Sequence, residues 1–110
     1  MSKRVVVTGI GIISSIGNNC EETIQSLLSN RSGIKKAQFI VTIHNDTPFA
    51  EVGLSDIDLY KSIGTKVPFE ILTRTTLLGM YAAKQAVMTD SYRKSKAKRT
   101  GLISSTTVGG

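Results

Sequence analysis

Arg4-Val5-Val6-Val7-Thr8-Gly9-Ile10-Gly11-Ile12-Ile13-Ser14-Ser15-Ile16-Gly17-Asn18 is the stretch whose reading decides the fold. Residues 4–8 form a β-branched run with no polar alternation, the pattern of a strand covered on both faces. Residues 14–19, Ser-Ser-Ile-Gly-Asn-Asn, are turn chemistry. Behind them Asn19 stands as a helix N-cap, and Glu22 three residues later completes a capping box. Glu21 and Glu22 also lie where the helix dipole favours negative charge. Ile24, Leu27 and Leu28 recur at helical spacing, and Arg31-Ser32-Gly33 reads as a stop, so the pattern predicts a helix over residues 20–31.

Working outward, residues 38–43 and 49–52 read as short strands flanking a loop at His44-Asn45-Asp46-Thr47-Pro48. Ser55-Asp56 caps a short helix to Ile63, with Gly64 ending it. Pro68 and Glu70 suit the first turn of a longer helix that runs to about Asp90. Gly79, Ala82, Ala83 and Ala86 give that helix a face of small residues. A helical Gly costs roughly 1 kcal/mol against Ala, and close approach of another backbone is the natural compensation. After a basic run, residues 100–106 read as a second buried strand, followed by Thr107-Val108-Gly109-Gly110.

Strands alternating with helices imply an α/β fold with a sheet at least partly parallel. Such sheets need cover on both faces and partners at their edges. Two main helices and two strands do not supply these, so the expectation is an incomplete layered fold, cut after Gly110.

The bulk composition excludes several classes. With 110 residues there is room for one domain or part of one, and 40% hydrophobic with 20% charged residues is globular composition. The uncharged stretch from Val5 to Cys20 is too short and polar to span a bilayer, which takes about 20 apolar residues. No signal peptide is visible. The single Cys rules out an internal disulfide and fits a reducing compartment, so the expected location is cytoplasmic, with no membrane partner. The net charge of +6 is concentrated: Arg93, Lys94, Lys96, Lys98 and Arg99 lie within seven residues. Only Tyr92 accompanies them among aromatic residues, and no nucleic-acid motif does, so the run reads as a solvated loop and no nucleic-acid partner is expected.

Three segments, in order and spacing, carry a resemblance. They are the opening stretch with its capped helix, residues 72–86 (Leu-Thr-Arg-Thr-Thr-Leu-Leu-Gly-Met-Tyr-Ala-Ala-Lys-Gln-Ala), and residues 99–110 (Arg-Thr-Gly-Leu-Ile-Ser-Ser-Thr-Thr-Val-Gly-Gly). Together they resemble the N-terminal part of the elongating β-ketoacyl-acyl-carrier-protein synthases. The resemblance implies the incomplete N-terminal half of a thiolase-like αβαβα layered fold, with residues 1–110 a partial ketosynthase domain. It implies an acyltransferase of fatty-acid or polyketide-like synthesis, acting by decarboxylative condensation of acyl and malonyl thioesters. The implied partners are acyl carrier protein, whose phosphopantetheine carries the substrates, and a second copy of the chain, as a dimer or a strand-exchanged assembly. No cofactor is implied. In the family the reactive Cys and two His lie beyond the position of Gly110, so no catalytic residue is assigned here and the chain alone is expected to be inactive. A non-catalytic remnant that binds carrier protein or dimerises with a synthase is the alternative.

The resemblance assigns one site: Thr107 and Val108 line the acyl pocket, with Thr107 where Gly is frequent and Val108 at an aliphatic position. Both also fit the plain end of a buried strand. Lys61, Lys66 and Arg74 fall near the carrier-facing region but do not match the family's basic positions, and they are not assigned. Cys20 is near a helix N-terminus, which favours a thiolate, yet Glu21 and Glu22 oppose that charge; it reads as an ordinary side chain. His44 has no second ligand at metal spacing and reads as a loop residue. Gly9-Ile10-Gly11 lacks the third Gly of a dinucleotide fingerprint, Ser14 standing there instead, and the helix starts too late. Its glycines read as points of tight turning and close packing.

Overall fold

The computed structural model describes residues 2–88 and 99–107. The expected end of the long helix near Asp90, the basic run before Arg99, and Val108 with the final glycines lie outside the described residues. In chain order the elements are α1 (Cys20–Leu28), α2 (Asp56–Ile63), a short 3₁₀ turn (Phe69–Ile71) and α3 (Arg74–Val87).

Each helix starts where its cap dictates. The Asn19 side chain accepts the Glu22 N–H at 2.9 Å, while Glu22 Oε2 accepts the Asn18 N–H at 2.8 Å, so the capping box closes one residue further back than the simplest form. The helix ends at Leu28 and not at residue 31. Asn30 takes φ 52°, the Asn30 N–H donates to Leu27 and the Arg31 N–H to Ser26. This is the Schellman arrangement, and Asn is the residue after Gly best suited to it. Ser55 caps α2 through the Asp58 N–H, and Gly64, at φ 67°, ends it.

The expected single helix from Pro68 onward is divided. Leu72 is extended at ψ 126°, and the Thr73 hydroxyl accepts the Thr76 N–H, so α3 starts from its own cap. A residue with extended ψ cannot continue the helical ladder, which confines the first part to one 3₁₀ turn.

The sheet differs from expectation. No strand forms among the described residues; residues 4–8 and 100–106 carry no regular structure and pair with nothing, with Val5 97% and Ile103 99% exposed. A strand is stabilised by neighbours that pair with its backbone groups, and no described segment pairs with either. Only isolated antiparallel bridges occur, Ser14 with Gly17 and Lys35 with Phe49. Residues 38–43 do not pair either. Glu51 takes three consecutive N–H groups from Gln38, Phe39 and Ile40, which bends that segment away from a ladder.

The core is correspondingly small. Leu59 of α2 and Leu77 of α3 are fully buried, at the contact between these two helices. In α1 the buried residues are Thr23 and Ser26, whereas Ile24, Leu27 and Leu28 face outward. The radius of gyration is 16.5 Å, against about 13 Å for a compact chain of this length.

Residues 11–18 are nevertheless tied to α3. A Cβ at Gly11 would stand 1.8 Å from the Ala82 carbonyl oxygen and 3.0 Å from the Ala86 nitrogen, so the chain lies directly on the helix backbone. Gln85 secures the contact by donating to the Asn18 carbonyl at 2.7 Å and accepting the Ile12 N–H at 3.3 Å. The small-residue face of α3 thus does receive another backbone, at Ala82 and Ala86. At Gly79 nothing approaches within 4 Å.

Candidate functional site: a groove along α3

The open space beside Gly79 is one wall of a groove. Thr75, Thr76, Gly79, Met80 and Ala83 of α3 face Leu102 and residues 104–106 across a cavity of about 620 Å³. Ligand pockets commonly measure about 300–1,000 Å³ and combine apolar walls with a few polar groups. Here Met80, Leu102 and Ala83 supply apolar side chains, and Thr and Ser residues make up most of the rest of the lining. Such a lining is uncharged and of mixed apolar and hydroxyl character.

A smaller cavity of about 230 Å³ lies near Ser14, Glu22 and Arg31. Its charged groups are already engaged: Glu22 by the Asn18 N–H, and Arg31 by Ser26 at 2.6 Å.

The groove's α3 wall begins at a polar knot. Arg74, the first residue of α3, donates to Asp56 Oδ1 at 2.5 Å and to the Val52 carbonyl at 3.0 Å. Its guanidinium carbon lies 5.8 Å from the centre of the Phe39 ring, within the range of a cation–π contact. Beneath it Glu51 is 3% exposed and accepts N–H groups from Gln38 at 2.7 Å, Phe39 at 3.0 Å and Ile40 at 2.6 Å. Burial pushes the Glu51 carboxyl upward. The N–H groups of Gln38, Ile40 and Phe39, together with the Arg74 charge, outweigh it and hold the carboxyl below its ordinary value of 4.5.

The residues singled out by sequence separate clearly. Thr107 is exposed and stands one position past Thr106, which lines the groove; Val108 lies outside the described residues. Cys20 opens α1 with its Sγ 3.9 Å from the Ile10 carbonyl oxygen. His44 sits in an exposed turn, its N–H donated to Thr42 Oγ1. No cluster of three metal-ligating side chains occurs among the described residues. No helix among them is long and apolar enough to cross a membrane.

Glu51 and Gln85 escaped the sequence reading. A lone carboxylate inside the apolar segment Phe49-Ala50-Glu51-Val52 is a usable signal, because a buried carboxylate requires donors. Gln85 offers a similar signal, standing among alanines on the small-residue face of α3.

Comparison with known proteins converges on one family. The family described as "Beta-ketoacyl synthase, N-terminal domain" matches residues 2–109. The 3-oxoacyl-[acyl-carrier-protein] synthase 1 of Buchnera aphidicola subsp. Acyrthosiphon pisum is 32% identical over 103 residues, covering 93% of this chain and 25% of the relative. The synthase of the same name from Escherichia coli K12 is 58% identical over 36 residues, 33% of this chain and 9% of the relative. The 3-oxoacyl-[acyl-carrier-protein] synthase 2 of Vibrio cholerae is 45% identical over 51 residues, 46% of this chain and 12% of the relative. The chain therefore spans a quarter or less of the length of these relatives. No solved structure matches it significantly.

Proposed function

This chain belongs to the beta-ketoacyl synthase family, as N-terminal domain sequence, and from that premise we propose that it serves a 3-oxoacyl-[acyl-carrier-protein] synthase as scaffold and as one wall of the acyl pocket. The match over residues 2–109 carries the reading, and a groove along α3 of a size suited to a ligand supports it. In the condensation, a thiolate attacks the acyl thioester and releases the carrier thiol. Malonyl-carrier protein loses CO₂, and the resulting carbanion attacks the acyl-enzyme carbonyl, expelling the thiolate. The contribution proposed for these residues is to hold the alkyl tail away from water while the carbonyl end reacts elsewhere.

Thr107 and Val108 belong to this proposal as the continuation of the wall beyond Thr106. The finer architecture, an αβαβα layered body in which residues 4–8 and 100–106 become strands, belongs to it as well. Exposed apolar residues in both segments support the assignment, since each then acquires the neighbours it lacks. Acyl carrier protein as substrate carrier, a homodimeric assembly and a cytoplasmic setting complete the reading. Cys20 is not the nucleophile proposed, because its sulfur is directed to the Ile10 carbonyl.

Photolabelling tests the pocket. An acyl pantetheine thioester with a diazirine on its alkyl tail is expected to mark Met80, Leu102 or Thr106–Thr107, and Gly79→Phe is expected to abolish the labelling. Labelling confined to other segments, or unaffected by Gly79→Phe, would sink the proposal.

A further inference from the structure

We infer that Arg74 is a positioning residue that sets the width of the α3 groove, tethering the helix's first turn to a loop knotted around Glu51, and hence tunes which acyl lengths the groove accepts. The inference rests on the acyl-pocket reading above and adds a residue that the reading does not require.

The location of Arg74 is the first argument. Cations are disfavoured at a helix N-terminus, where the backbone presents its positive end. The first turn of α3 contains no acidic residue of its own to offset this. Arg74 is instead compensated from outside, by the Asp56 carboxylate at the start of α2 and by the Val52 carbonyl. Its side chain remains 22% exposed and its partner 42%, so solvent screens the ion pair and raw attraction does not account for the arrangement. Geometry does. The planar guanidinium presents several donors in fixed directions, which Lys does not.

Direction is the second argument. Successive helical residues are about 100° apart around the axis, so Arg74 and Thr76 leave α3 on nearly opposite sides. Thr76 lines the groove while Arg74 holds the back of the same turn. A pull on one side is therefore a displacement of the other.

The rigidity of the anchor is the third. Arg74 touches α2 through Asp56, residue 52 through its carbonyl, and Phe39 through its ring. Residues 38–40 are fixed in turn by their N–H groups on Glu51, and Phe49 is bridged to Lys35 in both directions at 2.7 and 2.8 Å. The tether thus ends on backbone that is itself held.

The test compares the unaltered chain with Arg74→Met, which keeps most of the length and removes every donor, and Arg74→Lys, which keeps the charge without the fork. Binding of a short and a long saturated acyl pantetheine thioester is measured by calorimetry, and amide exchange of residues 75–77 is followed in parallel. The inference expects Arg74→Met to change the ratio of the two affinities by about tenfold, the scale on which a pocket distinguishes a methylene, with Arg74→Lys intermediate. Exchange in the first turn of α3 accelerates while that of α1 does not. If both affinities fall together at an unchanged ratio, Arg74 is merely structural and the inference is overturned. If the unaltered chain binds neither thioester, the acyl-pocket reading fails. In that event exchange faster in residues 75–77 alone still supports the tether, and exchange unchanged there overturns it.

Discussion

Replacing Glu51 by Gln isolates the strongest polar device in the structure, and its cost can be worked from the geometry. The carboxylate is 3% exposed and receives the N–H groups of Gln38 and Phe39 on Oε2 and of Phe39 and Ile40 on Oε1. Its cover is largely the backbone of its own loop. A glutamine keeps one acceptor oxygen, which can serve Phe39 and Ile40 as a neutral partner. Its amide group then points two further donors at the Gln38 N–H, leaving that N–H without an acceptor. Hydrogen bonds to charged groups contribute about 1.5–3 kcal/mol, neutral ones about 1, and an orphaned buried donor costs about 1–3 kcal/mol. Glu51→Gln is therefore expected to destabilise the chain by about 2–4 kcal/mol at neutral pH, large against the total stability of a small domain.

The same carboxylate gives the measurement a sign. Its acid dissociation is depressed below 4.5 by the N–H groups and the Arg74 charge, against the opposing effect of burial. A depressed carboxyl stabilises the folded state fully above the unfolded value and loses that contribution as the pH falls through the folded value. Urea titrations followed by far-ultraviolet circular dichroism should give a constant gap between the parent and Glu51→Gln from neutral pH down to about 5. Below 4.5 the gap should close, because the parent protonates a group the variant lacks. All other carboxylates are common to both proteins and cancel. A gap below about 0.5 kcal/mol at neutral pH, within the range of ordinary surface changes, would refute the reasoning. So would a gap that persists unchanged in strong acid.

Further expectations follow from packing and capping. Gly11→Ala places a methyl 1.8 Å from the Ala82 carbonyl oxygen; helix backbone cannot retreat, so denaturation should show a loss above the usual 1–3 kcal/mol of overpacking, and a neutral result would disprove the close contact. Gly79→Ala meets no atom within 4 Å and should raise stability by up to about 1 kcal/mol through helix propensity alone. Leu77→Ala removes half of the fully buried pair and should cost about 2–5 kcal/mol in the same assay. Incubation of the 110-residue chain with acyl-carrier protein should leave Cys20 unmodified in intact-mass spectra, and an acyl adduct there would contradict the scaffold reading.

What the sequence disclosed and what it concealed divide along a physical line. Caps are local: Asn19 with Glu22, Ser55 with Asp58, and Gly64 each bond within four residues, so residue types at fixed spacing were enough to find α1 and α2. The end of α1 was misplaced because Asn30, and not Gly33, takes the left-handed conformation. The start of α3 was misplaced because Pro68 and Glu70 imitate a first turn, while Thr73 supplies the working cap. Strand formation is not local. The β-branched runs at 4–8 and 100–106 state a preference, but pairing depends on segments distant in sequence, and neither run pairs among the described residues. The groove was not legible, since the small-residue face at Gly79 and Ala83 reads as a place for another backbone and none lies within 4 Å of Gly79.

The outward apolar face of α1 is fixed by the bonds of its polar side. Thr23 donates its hydroxyl to Asn19, and Ser26 donates to the Ile16 carbonyl while accepting Arg31 at 2.6 Å. The polar side of the helix is thus fully engaged inward, and rotating α1 to bury Leu27, now 63% exposed, would break these bonds together. Leaving a buried hydroxyl or guanidinium unpaired costs about as much as burying one leucine returns. The helix therefore has no inexpensive way to hide Ile24, Leu27 and Leu28 against its own chain. Among the described residues Ile24, Leu27 and Leu28 therefore stay open to solvent.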